Sequence, residues 1–125
     1  MKRASDSPGE QPACSAADHL ADGGGPRRVP PSAAVLARAA GMLRAAGDPA
    51  RLALLDRLTD GARCVTDLAA ASGDAMPTVS QRLRLLRTEG LVTARREGKH
   101  VYYALADDHV HVLLANVLGH AGEPP

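Results

Sequence analysis

The sequence predicts a mainly helical fold closed by one small β-hairpin, and three observations lead there. Apolar residues make up 45% of the 125-residue chain, yet there is no Phe, no Trp and only two Tyr. The core must therefore come from Leu, Val and Ala, which suits packed helices better than a β-sandwich. Apolar positions recur at helical spacing in five segments bounded by caps or breakers. Only the stretch after Gly90 reads as strand, turn, strand. Length limits the chain to one domain, with residues 1–30 a Pro, Gly and Ala-rich tail expected to be disordered or mobile and residues 31–123 the folded part.

Pro31-Ser32 opens the first helix, Ala33 to Ala46, with Val35, Leu36, Ala39, Met42 and Leu43 at helical spacing. Gly47-Asp48-Pro49 breaks it and starts a second, with Asp48 as N-cap, Pro49 in the first turn and Leu52, Leu55 and Leu58 as the apolar stripe, closed by Gly61. The third helix runs from Cys64 to Ala71 with Val65, Leu68 and Ala69 inward, and Ser72-Gly73 ends it. Pro77 to Thr88 forms the fourth, with Val79, Leu83 and Leu86 inward. Leu91 to Arg96 and Lys99 to Leu105 flank Glu97-Gly98 as a hairpin, and a fifth helix covers about Asp107 to His120. No apolar run reaches the roughly 18 to 20 residues that span a bilayer, and the first ten residues lack a signal-peptide core, so a cytoplasmic protein with no membrane partner is expected. Two cysteines fifty residues apart in that compartment are expected to be free thiols or metal ligands.

The net charge of +1 conceals a division. Residues 78–103 hold six Lys and Arg against Glu89 and Glu97, whereas residues 104–125 hold Asp107, Asp108 and Glu123 with no Lys or Arg. A local concentration of Arg in a nearly neutral chain suggests a polyanion footprint. Helix, tight turn, helix and basic hairpin is the order of a winged helix-turn-helix: five helices plus wing. Thr78, Ser80, Gln81 and Arg82 then fall on or near the face opposite Val79, Leu83 and Leu86, where Gln and Arg can pair with base edges, and Arg84 joins the same DNA-binding set. Arg95, Arg96, Lys99 and His100 flank the hairpin turn, where they can reach phosphate.

These residues together are familiar. Asp48-Pro49-Ala50-Arg51-Leu52, Cys64-Val65-Thr66-Asp67-Leu68-Ala69, Pro77-Thr78-Val79-Ser80-Gln81-Arg82-Leu83, Gly90-Leu91-Val92 and Arg95 through Tyr103 resemble, in order, the ArsR/SmtB family of metal-responsive repressors, over roughly residues 33–123. The resemblance implies a homodimer that binds an inverted-repeat operator when metal-free and releases it on binding metal. Many relatives carry His in the recognition helix where this chain has Gln81-Arg82, so the operator sequence does not carry over.

The last helix offers Asp107-x-His109 and, ten residues on, His120-x-x-Glu123. His109 and His120 share a face but lie roughly 16 Å apart along the axis, too far for one ion. An antiparallel copy related by a two-fold axis would bring Asp107 and His109 of one chain beside His120 and Glu123 of the other, twice per dimer. Two imidazoles and two carboxylates suit tetrahedral Zn(II), and the resemblance implies the same spacing in zinc sensors that bind at the C-terminal helix pair. That spacing selects Asp107 over Asp108, and His111, about 200° around from His109, stays out. A second possible site joins Cys64 and Asp67 with Cys14 and His19 from the tail. Its thiolates favour Cd(II) or Pb(II) as well as Zn(II). The alternatives are Cd(II)/Pb(II) or thiol-redox sensing through Cys14 and Cys64, or Ni(II) or Co(II) on the same fold. A hydrolase would need three ligands, an open position and a general base, and neither that nor a nucleophile motif is found, so neither an enzyme nor a small organic substrate is expected.

Overall fold

The computed structural model describes residues 27–125. The chain divides into two units, Met1–Pro31 and Ser32–Pro125, and every helix and strand among the described residues lies in the second. Helix α1, Ala33–Ala46, is capped by Ser32, whose hydroxyl accepts from the Val35 N–H. After Gly47, Asp48 caps α2, Pro49–Arg57, by accepting from the Arg51 N–H at 3.0 Å, with Pro49 in the first turn where its missing N–H costs nothing. Here the outcome departs from the expected stripe: α2 ends at Arg57, Leu58–Asp60 tightens into a 3-10 turn, and Leu54 joins Leu55 and Leu58 inside while Leu52 is only half-buried. Arg63–Cys64 forms a short strand, β1, so Cys64 ends a strand and caps α3, Val65–Ser72, rather than opening the helix.

Gly73 ends α3 at φ +77, in the left-handed region that a side chain would strain, and this sharp reversal launches α4, Met76–Thr88. Strands β2, Val92–Glu97, and β3, His100–Leu105, follow. Glu97 pairs with His100, so the hairpin turn is Gly98-Lys99, one residue later than expected, with Gly98 at φ +62 supplying the glycine-first two-residue turn. The sheet has three strands in the order β1-β3-β2, all antiparallel, with Arg63 opposite Tyr103 and Cys64 opposite Tyr102. Two residues carry no detectable alternation, which is why β1 is invisible in the sequence. Helix α5, Asp108–Ala121, closes the chain.

Leu54, Leu55, Leu68, Leu83, Leu86, Leu91 and Val79 are fully buried and join Tyr103, Val110 and Leu114 in one core. Each Leu withdrawn from water contributes roughly 2 kcal/mol, and together they fix α4 against α2, α3 and β2. Three helices keep large apolar residues outside that core: Val35, Leu36 and Leu43 on α1, Met76 and Leu85 on α4, and Val112, Leu113 and Val117 on α5. No helix among the described residues is long and apolar enough to cross a membrane.

Candidate nucleic-acid interface and metal-ligand pairs

Helix α4 turns Val79, Leu83 and Leu86 into the core, and this fixes what it shows outward. At about 100° per residue, Gln81, Arg84 and Thr88 project within roughly 40° of the direction opposite Val79, with Thr78 on one side. All four are exposed. Ser80 is half-buried. Arg82 lies on the flank, 26% exposed, with its Nη1 donating to Asp74 Oδ2 at 2.7 Å. The pair staples the helix-turn-helix turn to the recognition helix, and Arg82 is thereby the one recognition-helix candidate whose cation is already engaged. Asp74 escaped notice in the sequence because its partner is eight residues away across a turn.

On the wing, Arg96, Lys99 and His100 are exposed. Arg95 is held between Glu97, at 2.7 Å from its Nε to Oε2, and the Tyr102 ring, whose centroid is 5.6 Å from its Cζ. Between α2 and α4 lies an open concavity of about 660 Å3 that includes Arg51, Thr78, Gln81, Arg82, Arg84 and Thr88 in its lining. Arg51 is the second residue that sequence reasoning passed over. Its Nε donates to the Ala45 carbonyl at 2.7 Å and its Nη2 to that of Arg44 at 3.4 Å, so it caps the C-terminal end of α1. The signal for it was the family-like Asp48-Pro49-Ala50-Arg51 motif, read there only as a helix start.

The His and carboxylate candidates gather at the two ends of α5. Asp107 caps the helix through Oδ1, which accepts from the Val110 N–H at 3.1 Å, and its Oδ2 lies 3.7 Å from His109 Nδ1. At the other end His120 Nδ1 lies 3.7 Å from Glu123 Oε1. His109 is 98% exposed and His120 88%, so neither is committed to its own core. Donors bound about 2.0 to 2.1 Å from a tetrahedral ion sit roughly 3.3 Å apart, and both pairs are close to that spacing, each able to give two donors to one ion. They fit a divalent metal in donor type, spacing and access. Within one chain they stay separate pairs: no group of three or more His, Cys, Asp or Glu gathers at metal-binding distance among the described residues. On the same face, between the pairs, lie Val112, Leu113, Asn116 and Val117, all within about 80° of His109. Val110 and Leu114, about 100° and 140° around from His109, turn into the core. Asp108 is exposed beside Asp107, and His111 is exposed and turned away by two residues.

The second constellation is less assembled. Cys64 is buried at 6% exposure under the wing, in a cavity of about 180 Å3 that also meets Lys99 and His100, whereas Asp67 is exposed on α3. Cys64 sits in extended backbone at the N-cap and Asp67 at the third helical position, two positions whose side chains neighbour each other at a helix start. Cys14 and His19 lie outside the described residues.

A helix-turn-helix with an exposed polar recognition face beside a cationic hairpin defines a winged-helix DNA-binding regulator. Residues 48–94 match the family described as bacterial regulatory protein, arsR family. The chain is 39% identical over 95 residues to the HTH-type transcriptional repressor SmtB of Mycobacterium tuberculosis, covering 76% of this chain and 70% of that protein. It is 38% identical over 103 residues to the HTH-type transcriptional regulator NmtR of the same species, covering 82% and 86%. Among solved structures it resembles the homodimeric winged helix-turn-helix DNA-binding domain (fragment 1–100) of a Mycobacterium bovis protein, with a TM-score of 0.69 and 40% identity over 71% of this chain and 82% of that one. The chain belongs to the ArsR/SmtB family of metal-responsive transcriptional regulators.

Proposed function

We propose that the protein is a cytoplasmic homodimeric repressor that binds an inverted-repeat operator when metal-free and lets go when Zn(II) is held between the α5 helices of the two protomers. The observation that supports this reading is the placement of two bidentate donor pairs, Asp107/His109 and His120/Glu123, at opposite ends of one exposed, partly apolar helix face. An antiparallel α5 from a second copy covers Val112, Leu113 and Val117 and sets each pair against its complement, giving two four-donor sites per dimer. The exposed apolar face of α1 extends the surface that a second copy covers.

Held by Asp107 and His109 of one protomer and His120 and Glu123 of the other, a divalent ion would tie the two helices together. The protein's own residues do the rest. Asp107 keeps Oδ1 on the helix cap and turns Oδ2 toward His109, so the ligand pair is oriented before metal arrives. Imidazole coordinates only when deprotonated, so proton and metal compete for His109 and His120. Val110 and Leu114 on the same helix pack into the core that holds α4, which gives a rigid route from α5 to the recognition helix. Because linkage is reciprocal, metal and DNA weaken each other equally, and a coupling of about 1 to 3 kcal/mol per site lowers operator affinity about 5- to 150-fold. The test is fluorescence anisotropy on an operator fragment, with and without Zn(II). Release of wild type and of Cys14→Ser/Cys64→Ser, with none of His109→Ala/His120→Ala, supports the reading. Loss of response only in the cysteine variant overturns it.

A further inference from the structure

We propose that the concavity between α2 and α4 seats a DNA backbone phosphate on Arg51, so that the guanidinium that closes the dimer-facing helix α1 also grips the DNA. This rests on the DNA-binding reading above and adds a contact outside the recognition helix and wing. Arg51, Arg82 and Arg84 all line the concavity, with the hydroxyl-bearing Thr78 and Thr88 and the amide of Gln81, and no acidic side chain is among the lining residues. Arg82 is neutralised by Asp74, which leaves Arg51 and Arg84 as the net positive charge of the concavity. The concavity opens on the same outward face of α4 that carries Gln81 and Arg84, so it continues the candidate interface instead of forming a separate patch.

Arg51 has donors to spare. A guanidinium offers five N–H groups, and two of these go to the carbonyls of Ala45 and Arg44, leaving three. A phosphate oxygen is the acceptor that the planar fork suits best in this concavity, because Glu89, the acidic side chain that shares a cavity with Arg51, lines a separate, smaller one. The Arg51 side chain would thus join the C-terminal end of α1, a helix that also bears exposed Val35, Leu36 and Leu43, to the DNA backbone. A shift of α1 in the dimer would move a DNA contact directly.

Phosphate contacts are sequence-independent, so the test does not need the operator. Binding of the metal-free full chain to a mixed-sequence duplex of about 30 base pairs is measured against salt. Arg51→Gln is expected to lower the log–log salt slope by about 0.9 per protomer, about 1.8 per dimer, with the dimer intact by sedimentation. Should that variant lose its fold, Leu85→Glu carries the same question, because Leu85 is exposed, lies outside the DNA-contact set and lines the concavity with Arg51, so the substitution puts a carboxylate there without removing a contact of Arg51 or of the reading face. It is expected to weaken binding at low salt by about tenfold or more, whereas Ala53→Glu, exposed on α2 outside the concavity, weakens it less. A folded Arg51→Gln with an unchanged slope, or Leu85→Glu no weaker than Ala53→Glu, overturns the phosphate seat while leaving the DNA-binding reading standing. Wild type that shows no salt-dependent binding to any duplex removes that reading itself.

Discussion

Helices α4 and α5 both present polar side chains to solvent, but they do so on opposite terms. On α4 the functional groups spread along one outward face, Thr78, Gln81, Arg84 and Thr88, each at a different height and none needing another to act. On α5 they are concentrated in two pairs at the ends, 3.7 Å within a pair and about eleven residues between pairs. A distributed polar face beside a cationic wing suits a long polyanion, and one chain carries both. Paired donors at helix ends suit a point charge, and in the proposed dimer one chain supplies two of the four donors of each site. On the proposed function, the difference would let one small domain hold DNA and metal apart: the chemistry of the first is local to a protomer and that of the second is completed across a dimer.

Breaking the second region should therefore leave the first untouched. In His109→Ala/His120→Ala, the metal-free affinity for operator DNA is expected to stay within about twofold of wild type, while the 5- to 150-fold weakening by Zn(II) at each site vanishes. With two sites per dimer this is the largest effect. Titration of DNA binding with and without metal measures both quantities on one sample. A large drop in metal-free affinity would show instead that α5 and α4 are not separable.

The converse breaks the first region alone. Gln81→Ala and Arg84→Ala should each lower metal-free affinity, by about 1 to 3 kcal/mol where the side chain meets a base edge and by less where it meets phosphate. The salt slope tells these apart, falling by about 0.9 per protomer for a phosphate contact and staying flat for Gln81. Zinc binding to the free protein, followed by calorimetry, should not change in either variant.

Asp107 belongs to both a fold and a site, and two substitutions separate its roles. Asp107→Ala removes the α5 cap and is expected to cost about 1 kcal/mol of stability, seen as a lowered Tm. Asp107→Asn keeps an oxygen for the Val110 N–H and should hold the Tm near that of wild type. Both remove the carboxylate that faces His109, so both should weaken zinc binding. If Asp107→Asn binds zinc as wild type does, Asp108 is the ligand and Asp107 only the cap.

Helix α4 and the ends of α5 were legible in the sequence because each announces itself locally. Val79, Leu83 and Leu86 set the buried stripe of α4, and three- or two-residue spacings place His120 with Glu123 and Asp107 with His109. What stayed hidden depends on contacts that sequence distance does not encode. Strand β1 exists because Arg63 and Cys64 meet Tyr103 and Tyr102, some forty residues away. That pairing also draws Cys64 into the interior, whereas Asp67, three residues on, stays exposed. The Asp74–Arg82 staple and the grip of Arg51 on α1 are likewise side-chain contacts across turns.

That staple yields the smallest effect and the sharpest question about α4. Asp74→Ala removes a half-exposed ion pair, so stability is expected to fall by less than about 1 kcal/mol. Its effect on DNA depends on what Arg82 does. Held on the flank of the helix as a staple, Arg82 is no base contact, and deleting Asp74 removes a negative charge near the duplex and frees a cation, so affinity for any sequence should rise by a small factor. Were Arg82 a base reader oriented by Asp74, the same deletion would release it from its rotamer and lower affinity for operator DNA while leaving mixed-sequence binding unchanged. The sign of the change on two duplexes, operator and mixed, decides between a residue that shapes the reading face and one that reads.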